Sequence, residues 1–418
     1  MVRIDEGSWQ PLLEGGLAEQ ARQAIEDIVE ALEALEGQSV RDDPSLAAGA
    51  PGLALFHSVM ERVRPGGMHA QRALECLERA FESVAALRRG PTLFSGYPGV
   101  GWVAEHLRGH LFDAEEDPAQ AVDEALEDVL GSAPFPGEYE LVHGLVGLGV
   151  YALERRAMPS GMRLLERVVA HLASRAERDG QGAFWVTERR SAPGVKHVDL
   201  GMSHGVGGVV AFLSAACLAG AQQARPLLSQ AVSWLLARRE KAGARTVFPG
   251  RWVPGEGPAR TRSPVAWCYG TPGLSVALLA AARALGDEGW EQAAREMARG
   301  EALGVPGQDA VSEAGLCHGT AGLGHLHHRL FLATGEALFA EAARTWFQRT
   351  LALRRPGQGL AGFSTFETFE GYAAPEGPAA PGFLHGVAGI ALALVSAVYP
   401  VAPAWGRVLL LELPRREG

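Results

Sequence analysis

Seven times along the chain a Gly-x-x-Gly opens a short run that is apolar on nearly every face. The copies are GAPGLALF from Gly49, GYPGVGWV from Gly96, GLVGLGVY from Gly144 and GVGGVVAF from Gly205, then GTPGLSVA from Gly270, GTAGLGHL from Gly319 and GVAGIALA from Gly386. Their first glycines are 47 to 67 residues apart. The runs that follow, such as ALLAAARAL and ALALVSAV, have almost no polar side, so each predicts a helix buried all round. Between them lie stretches with apolar residues at helical spacing and charges opposite: LAEQARQAIEDIVEALEAL (17–35), MRLLERVVAHLASRAER (162–178) and EALFAEAARTWFQRTLALR (336–354). These predict outer helices with one face in water. Strand signal is sparse, and FWVTERR (184–190) and TVFPGRWVP (246–254) carry the best of it.

Buried and amphipathic helices alternating seven times predict an all-α fold: a closed (α/α)7 double toroid of seven inner and seven outer helices, one domain over residues 1–418. A linear solenoid of helical pairs is the alternative, but its inner and outer helices would differ less in polarity, and its two ends would need polar caps. The longer gaps, 147–205, 208–270 and 322–386, have room for a small β-containing lobe. The glycines let backbones approach closely and free the preceding turn for unusual dihedral angles. Inner helices of a ring run parallel, so all seven turns would meet at one mouth.

Composition narrows the function. The 418 residues are 47% hydrophobic and 21% charged, ordinary for a protein with a real core, and the formal charge is −10. That sign argues against nucleic acid as the main ligand. The four cysteines are too few and too scattered for a disulfide framework. Cys76 and Cys217 lie on apolar helical patterns and read as core residues. The opening MVRIDEGSWQPLLEGG has neither the basic start nor the apolar run of a signal peptide, and 205–219 is too short for a membrane span. The expected location is the cytoplasm.

The residues just before each repeat's first glycine carry the chemistry. One position before it stand Ala48, Ser95, His143, His204, Tyr269, His318 and His385; two positions before stand Ala47, Phe94, Val142, Ser203, Cys268, Cys317 and Leu384. Four histidines share one repeat position and two cysteines share the next. In a closed ring these side chains converge. Cys268, Cys317 and His318 then supply three ligands of the type zinc prefers, and three protein ligands with an open fourth position is the catalytic pattern. Two buried thiols beside a turn histidine is the bland alternative. His204, near His197, is either an acid/base or a satisfied turn histidine. His143 and His385 are expected to cap or pack, and His325, His327 and His328 to be helix-face residues away from the mouth.

The strings WCYGTPG (267–273), LCHGTAGLGHL (316–326) and DLGMSHGVGG (199–208) resemble the lanthionine synthetase C-like proteins of the nisin-cyclase type. With the glycine repeat, the resemblance extends to essentially the whole chain. It implies a double α-helical toroid with a central Zn2+, one per chain, held by Cys268, Cys317 and His318. It also implies that cysteine thiols of a dehydrated precursor peptide add to dehydroalanine or dehydrobutyrine, giving lanthionine or methyllanthionine. His204 maps onto the family's catalytic histidine, and Tyr269 onto the aromatic residue after the first zinc cysteine. Two positions depart from the pattern. Glu140 stands where the family often has aspartate. Pro264 stands where the nisin type has arginine, with Arg262 close by as a substitute. A dehydratase and an exporter are the expected partners, and the location extends to the periphery of the inner membrane face.

The chemistry suits these groups. A free thiol has a pKa of about 8.5 and reacts as the thiolate. Zinc deprotonates a bound thiol outright, and the fourth position is expected to hold water until a substrate thiol displaces it. The enolate formed by thiolate attack needs a proton at Cα, and a histidine suits that task. His204 is the expected acid, oriented by Glu140 or Asp199, with Tyr269 or Arg262 at the enolate oxygen. Three other readings use the same ring. One is a zinc enzyme adding glutathione or another small thiol to an electrophile. Another is a non-catalytic peptide-binding scaffold with structural zinc. The last is a carbohydrate-processing toroid, which would need paired carboxylates at the mouth.

Overall fold

The structure, a computed structural model, describes residues 9–35, 42–113, 115–188, 194, 196–243, 245–259, 265–304, 311–365, 377–378 and 380–414. Among them the chain is mostly helical, with a few short strands. Each Gly-x-x-Gly starts one buried helix: α2 (Ala50–Val63), α4 (Tyr97–Leu107), α6 (Leu145–Glu154), α8 (Val206–Leu218), α10 (Thr271–Leu285), α12 (Thr320–Thr334) and α14 (Val387–Val398). The first glycine is the N-cap in every copy. The amphipathic stretches alternate with these as α1 (Gly15–Ala34), α3 (His69–Ala86), α5 (Gln120–Gly131), α7 (Pro159–Arg175), α9 (Ala224–Leu236), α11 (Glu288–Gly304) and α13 (Ala337–Leu353). The two sets differ as their sequences require. All of α14 is buried, whereas α3 buries only His69, Ala73, Cys76, Leu77 and Ala80, a single stripe.

Packing follows the repeat. Helix α2 packs on α4, α4 on α6, α6 on α8, α8 on α10, α10 on α12, α12 on α14, and α14 back on α2. Each carries its amphipathic neighbour outside: α3 on α2, α5 on α4, α7 on α6, α9 on α8, α11 on α10, α13 on α12 and α1 on α14. The turns before the buried helices are tied to one another as well. Backbone N–H groups donate from Ala47 to Phe94, Leu141 to Ser203, Met202 to Cys268, Cys268 to Cys317, Cys317 to Leu384 and Leu384 to Ala47, at 2.8–3.3 Å.

The second glycine of each repeat has one physical role. A Cβ there would lie within 3.0 Å of the carbonyl oxygen six residues earlier, in all seven copies. The turn's own backbone therefore lies against the first turn of the helix it leads, and a side chain would push it off. Dihedral freedom matters at only one N-cap, Gly270, with φ of 92°.

The longer gaps hold the strands. A β1 (Glu177–Asp179) and β2 (Gly182–Phe184) hairpin and a β5 (Glu240–Ala242) and β6 (Arg245–Val247) hairpin flank a four-stranded antiparallel sheet. That sheet orders β3 (Thr187–Glu188), β4 (Lys196–Asp199), β7 (Arg251–Val253) and β8 (Gly257–Pro258). Its register sets Asp199 opposite Arg251. A further pair, β9 (Ser364–Thr365) with β10 (Gly377–Pro378), lies in the last gap.

The C-terminal 3-10 helix Ala404–Leu409 is tucked among the buried helices. Trp405 stacks on His325 of α12 with ring centroids 4.6 Å apart, and Leu409 accepts a bond from the Trp267 indole at 3.0 Å. Arg407 pairs with Glu154 at the end of α6, which also bonds His106 of α4 at 3.0 Å. No described helix is long and apolar enough to cross a membrane.

Candidate metal and proton-transfer site

Two of the linked turns bring Cys268, Cys317 and His318 together, with one ligand atom from each lying within 4.8 Å of the others. The backbone bond from Cys268 N–H to the Cys317 carbonyl, 3.3 Å, fixes the two turns against each other. Both thiols are buried, and the imidazole is nearly so. Tetrahedral zinc with Zn–S bonds of about 2.3 Å sets its ligand atoms roughly 3.8 Å apart, so this donor set fits the metal in type and spacing. The hydrogen bond to Cys268 pushes the Cys317 thiol pKa well up, and burial adds to it. Without a cation the Cys317 thiol stays protonated. Burial and the neighbouring His385 hold His318 at about 3. The ring of His385 lies 4.8 Å from that of His318. Glu313, itself buried, contacts His318 Nε2.

Beside this cluster one carboxylate gathers two imidazoles. Glu140 Oε2 faces His204 Nδ1 at 2.9 Å, and Oε1 faces His143 Nδ1 at 3.1 Å. The same carboxylate accepts the backbone N–H groups of Val142 at 2.8 Å and His143 at 2.7 Å, which locks it into the turn before α6. Burial alone would raise its pKa. The bonds from both imidazoles, the charge of His204 and the Val142 N–H reverse that and hold it at about 2. For His204 burial acts downward, but Glu140, by hydrogen bond and charge, and Asp199 raise the pKa above 6.5, with Arg251 opposing. The His143 and His204 rings stack 5.7 Å apart, and both side chains remain partly exposed.

A second carboxylate organises the far side of the mouth. Asp199 Oδ1 accepts the Tyr269 hydroxyl at 3.1 Å and Arg251 Nε at 3.0 Å, while Oδ2 faces His197 Nε2 at 2.9 Å. Burial and the charge of Asp199 push the Tyr269 phenol far up, so it remains a donor. Its ring lies 6.3 Å from that of His204, and Cys268 precedes it in the same turn. The Tyr139 hydroxyl donates to the His204 carbonyl at 3.3 Å.

The structure thus gathers His204, Glu140 and Tyr269 beside Cys268, Cys317 and His318. Of the two carboxylates considered for His204, Glu140 holds the imidazole and Asp199 holds Tyr269. Arg262 and Pro264 lie outside the described residues. Arg251, which the sequence reading passed over, reaches Asp199 through strand pairing between residues 52 apart in sequence. His143, expected to cap or pack, lies on Glu140 instead. Glu313 also went unnoticed; its only sequence signal is its place in the turn that ends in Cys317 and His318. His325, His327 and His328 are buried in α12, and among the described residues they form no candidate metal cluster.

Residues 41–410 match the family described as lanthionine synthetase C-like protein. Among solved structures, nisin cyclase superposes with a TM-score of 0.70 at 18% identity, covering 93% of this chain and 97% of the other. A sugar epimerase from a ruminal bacterium reaches a TM-score of 0.49 at 10% identity over 91% of this chain and 98% of that one. No curated protein matches the sequence.

Proposed function

The chain belongs to the lanthionine synthetase C-like protein family, and on that footing we propose that it is a zinc-dependent lanthipeptide cyclase built as one closed (α/α)7 double toroid. Closure is supported by α14 packing back on α2 and by the Leu384-to-Ala47 backbone bond. The function rests on one observation above all: a Cys–Cys–His donor set lies next to a carboxylate-held histidine.

Cys268, Cys317 and His318 would hold the metal. When bound there, zinc lowers the pKa of a coordinated thiol, so the precursor's cysteine sulfur is a thiolate at neutral pH. The sulfur bonds to the β-carbon of a dehydroalanine or dehydrobutyrine, and the π pair moves toward the carbonyl as an enolate. His204, kept charged by Glu140, delivers a proton to Cα. The proton lost by the thiol recharges His204, so product and substrate have the same mass. Asp199 fixes Tyr269, which, with Arg262 as the alternative, is assigned to the enolate oxygen. In this role the substrate comes from a dehydratase and the product leaves through an exporter, with the enzyme in the cytoplasm or at the inner membrane face.

The test is direct. Purified chain is incubated with a dehydrated precursor peptide, free thiols are alkylated, and the product is weighed. Loss of alkylatable thiols at constant peptide mass, with about one zinc per chain, is the expected result. A chain that consumes glutathione but leaves the peptide thiols intact would shift the assignment to small-thiol addition.

A further inference from the structure

Glu313 is a buried carboxylate that the proposed reaction leaves unused. It is 8% exposed and sits in the turn that ends in Cys317 and His318. Its backbone carbonyl accepts the Thr320 N–H at 2.9 Å, which ties it to the first turn of α12. Its side chain is directed at His318 Nε2. Glu313 stands outside the group of donor atoms that lie mutually within 4.8 Å. Burying a carboxylate is expensive unless a partner compensates it.

We propose that Glu313 is the positioning residue of the metal centre: it takes the Nε2–H of His318, fixes the ring's tautomer and orientation, and leaves Nδ1 as the metal-binding atom. The proposal rests on the zinc reading above. A neutral imidazole has one donor and one acceptor nitrogen, and a carboxylate can only accept. Glu313 therefore selects the Nε2–H form, and the lone pair falls on Nδ1. A carboxylate on a ligating histidine also makes the ring a stronger donor, and removing such a group weakens metal binding about 10–100-fold. The backbone bond from Cys268 N–H to the Cys317 carbonyl joins the two turns, whereas Glu313 contacts the His318 ring itself.

Zinc affinity is the readout, measured by competition with a chromophoric chelator on the full chain. Glu313→Gln is expected to bind zinc about 10–100-fold more weakly than the parent. Glu140→Gln, on the neighbouring carboxylate, is expected to keep parental affinity while losing turnover. Circular dichroism melts show whether each variant is folded. Ring 15N shifts of His318 in the zinc-loaded parent give a second measure that does not depend on any variant folding. They are expected to show a protonated Nε2 and a metal-bound Nδ1. Parental affinity in folded Glu313→Gln, or a protonated Nδ1 in the parent, overturns the positioning role alone. A parent that binds no zinc overturns the zinc reading with it.

Discussion

The histidines of the glycine turns and those of α12 are chemically the same residue in opposite settings. His143 and His204 sit at the mouth, partly exposed, and their ring nitrogens face a carboxylate. His325, His327 and His328 form the denser sequence cluster, yet all are buried in the helix interior. His325 is stacked on Trp405, His327 bonds the Leu323 carbonyl at 2.9 Å, and His328 bonds the Gln10 carbonyl at 3.0 Å. Burial holds His327 and His328 at about 4, so both are neutral packing groups, and His328 ties the segment around Gln10 to α12. What separates the sets is register, since a histidine one position before a repeat's first glycine reaches the mouth, and one a turn or more inside the helix reaches the core.

The comparison is broken most severely by removing a mouth ligand. Cys317→Ala is expected to lose both zinc and cyclisation, read by metal analysis and the thiol-alkylation assay. Full zinc content in this variant would sink the ligand set. Next in size is His204→Asn. It is expected to keep zinc and fold while turnover drops by about 10²–10⁴. Its stability should also change with pH in a defined window. The His204 pKa is raised, so the stabilisation it gains from Glu140 is full below about 6.5 and fades as pH rises through the folded value. Glu140 behaves oppositely: its share is present above about 4.5 and is lost as pH falls toward about 2. A melting-temperature series on the parent and the Asn variant should therefore differ most in mildly acidic solution and converge at high pH.

The core set predicts a third, smaller effect of another kind. A buried neutral histidine takes up a proton more readily unfolded than folded. Stability conferred by keeping His327 neutral is thus lost as pH drops from about 6.5 toward about 4. His327→Leu should leave zinc content and turnover at parental levels and make the melting temperature less sensitive to acid across that window. An unchanged pH slope would mean that other groups, His325 and His328 among them, carry the acid response.

The glycine repeat made the helical alternation readable in advance, because the same close approach is required at every turn and only glycine meets it. Register alone then predicts that Cys268, Cys317, His318 and His204 lie together, because each stands one or two positions before a repeat's first glycine. What stayed hidden depends on contacts across the chain. The choice between Glu140 and Asp199 turns on which carboxylate each side chain reaches, and spacing carries no such information. Arg251 arrives through the pairing of β4 with β7, whose strands are too short for a clear pattern. The burial of Ala404–Leu409 among the helices is equally silent in sequence, since AWGRVL has no distinctive period.

His143 gives the finest probe of the difference between mouth and core. It shares Glu140 with His204, yet it is the more exposed of the two. If its ring mainly competes for the carboxylate, His143→Gln leaves Glu140 more fully committed to His204. Turnover should then change only a few-fold, on the order of the effect of one partly exposed hydrogen bond. The sharper readout is the histidine itself: NMR titration of His204 in the variant should show a pKa moved upward, because a carboxylate relieved of one imidazole offers more charge to the other. A His204 titration identical in parent and variant would mean that the two rings hang on Glu140 independently, and that the shared carboxylate does not couple them.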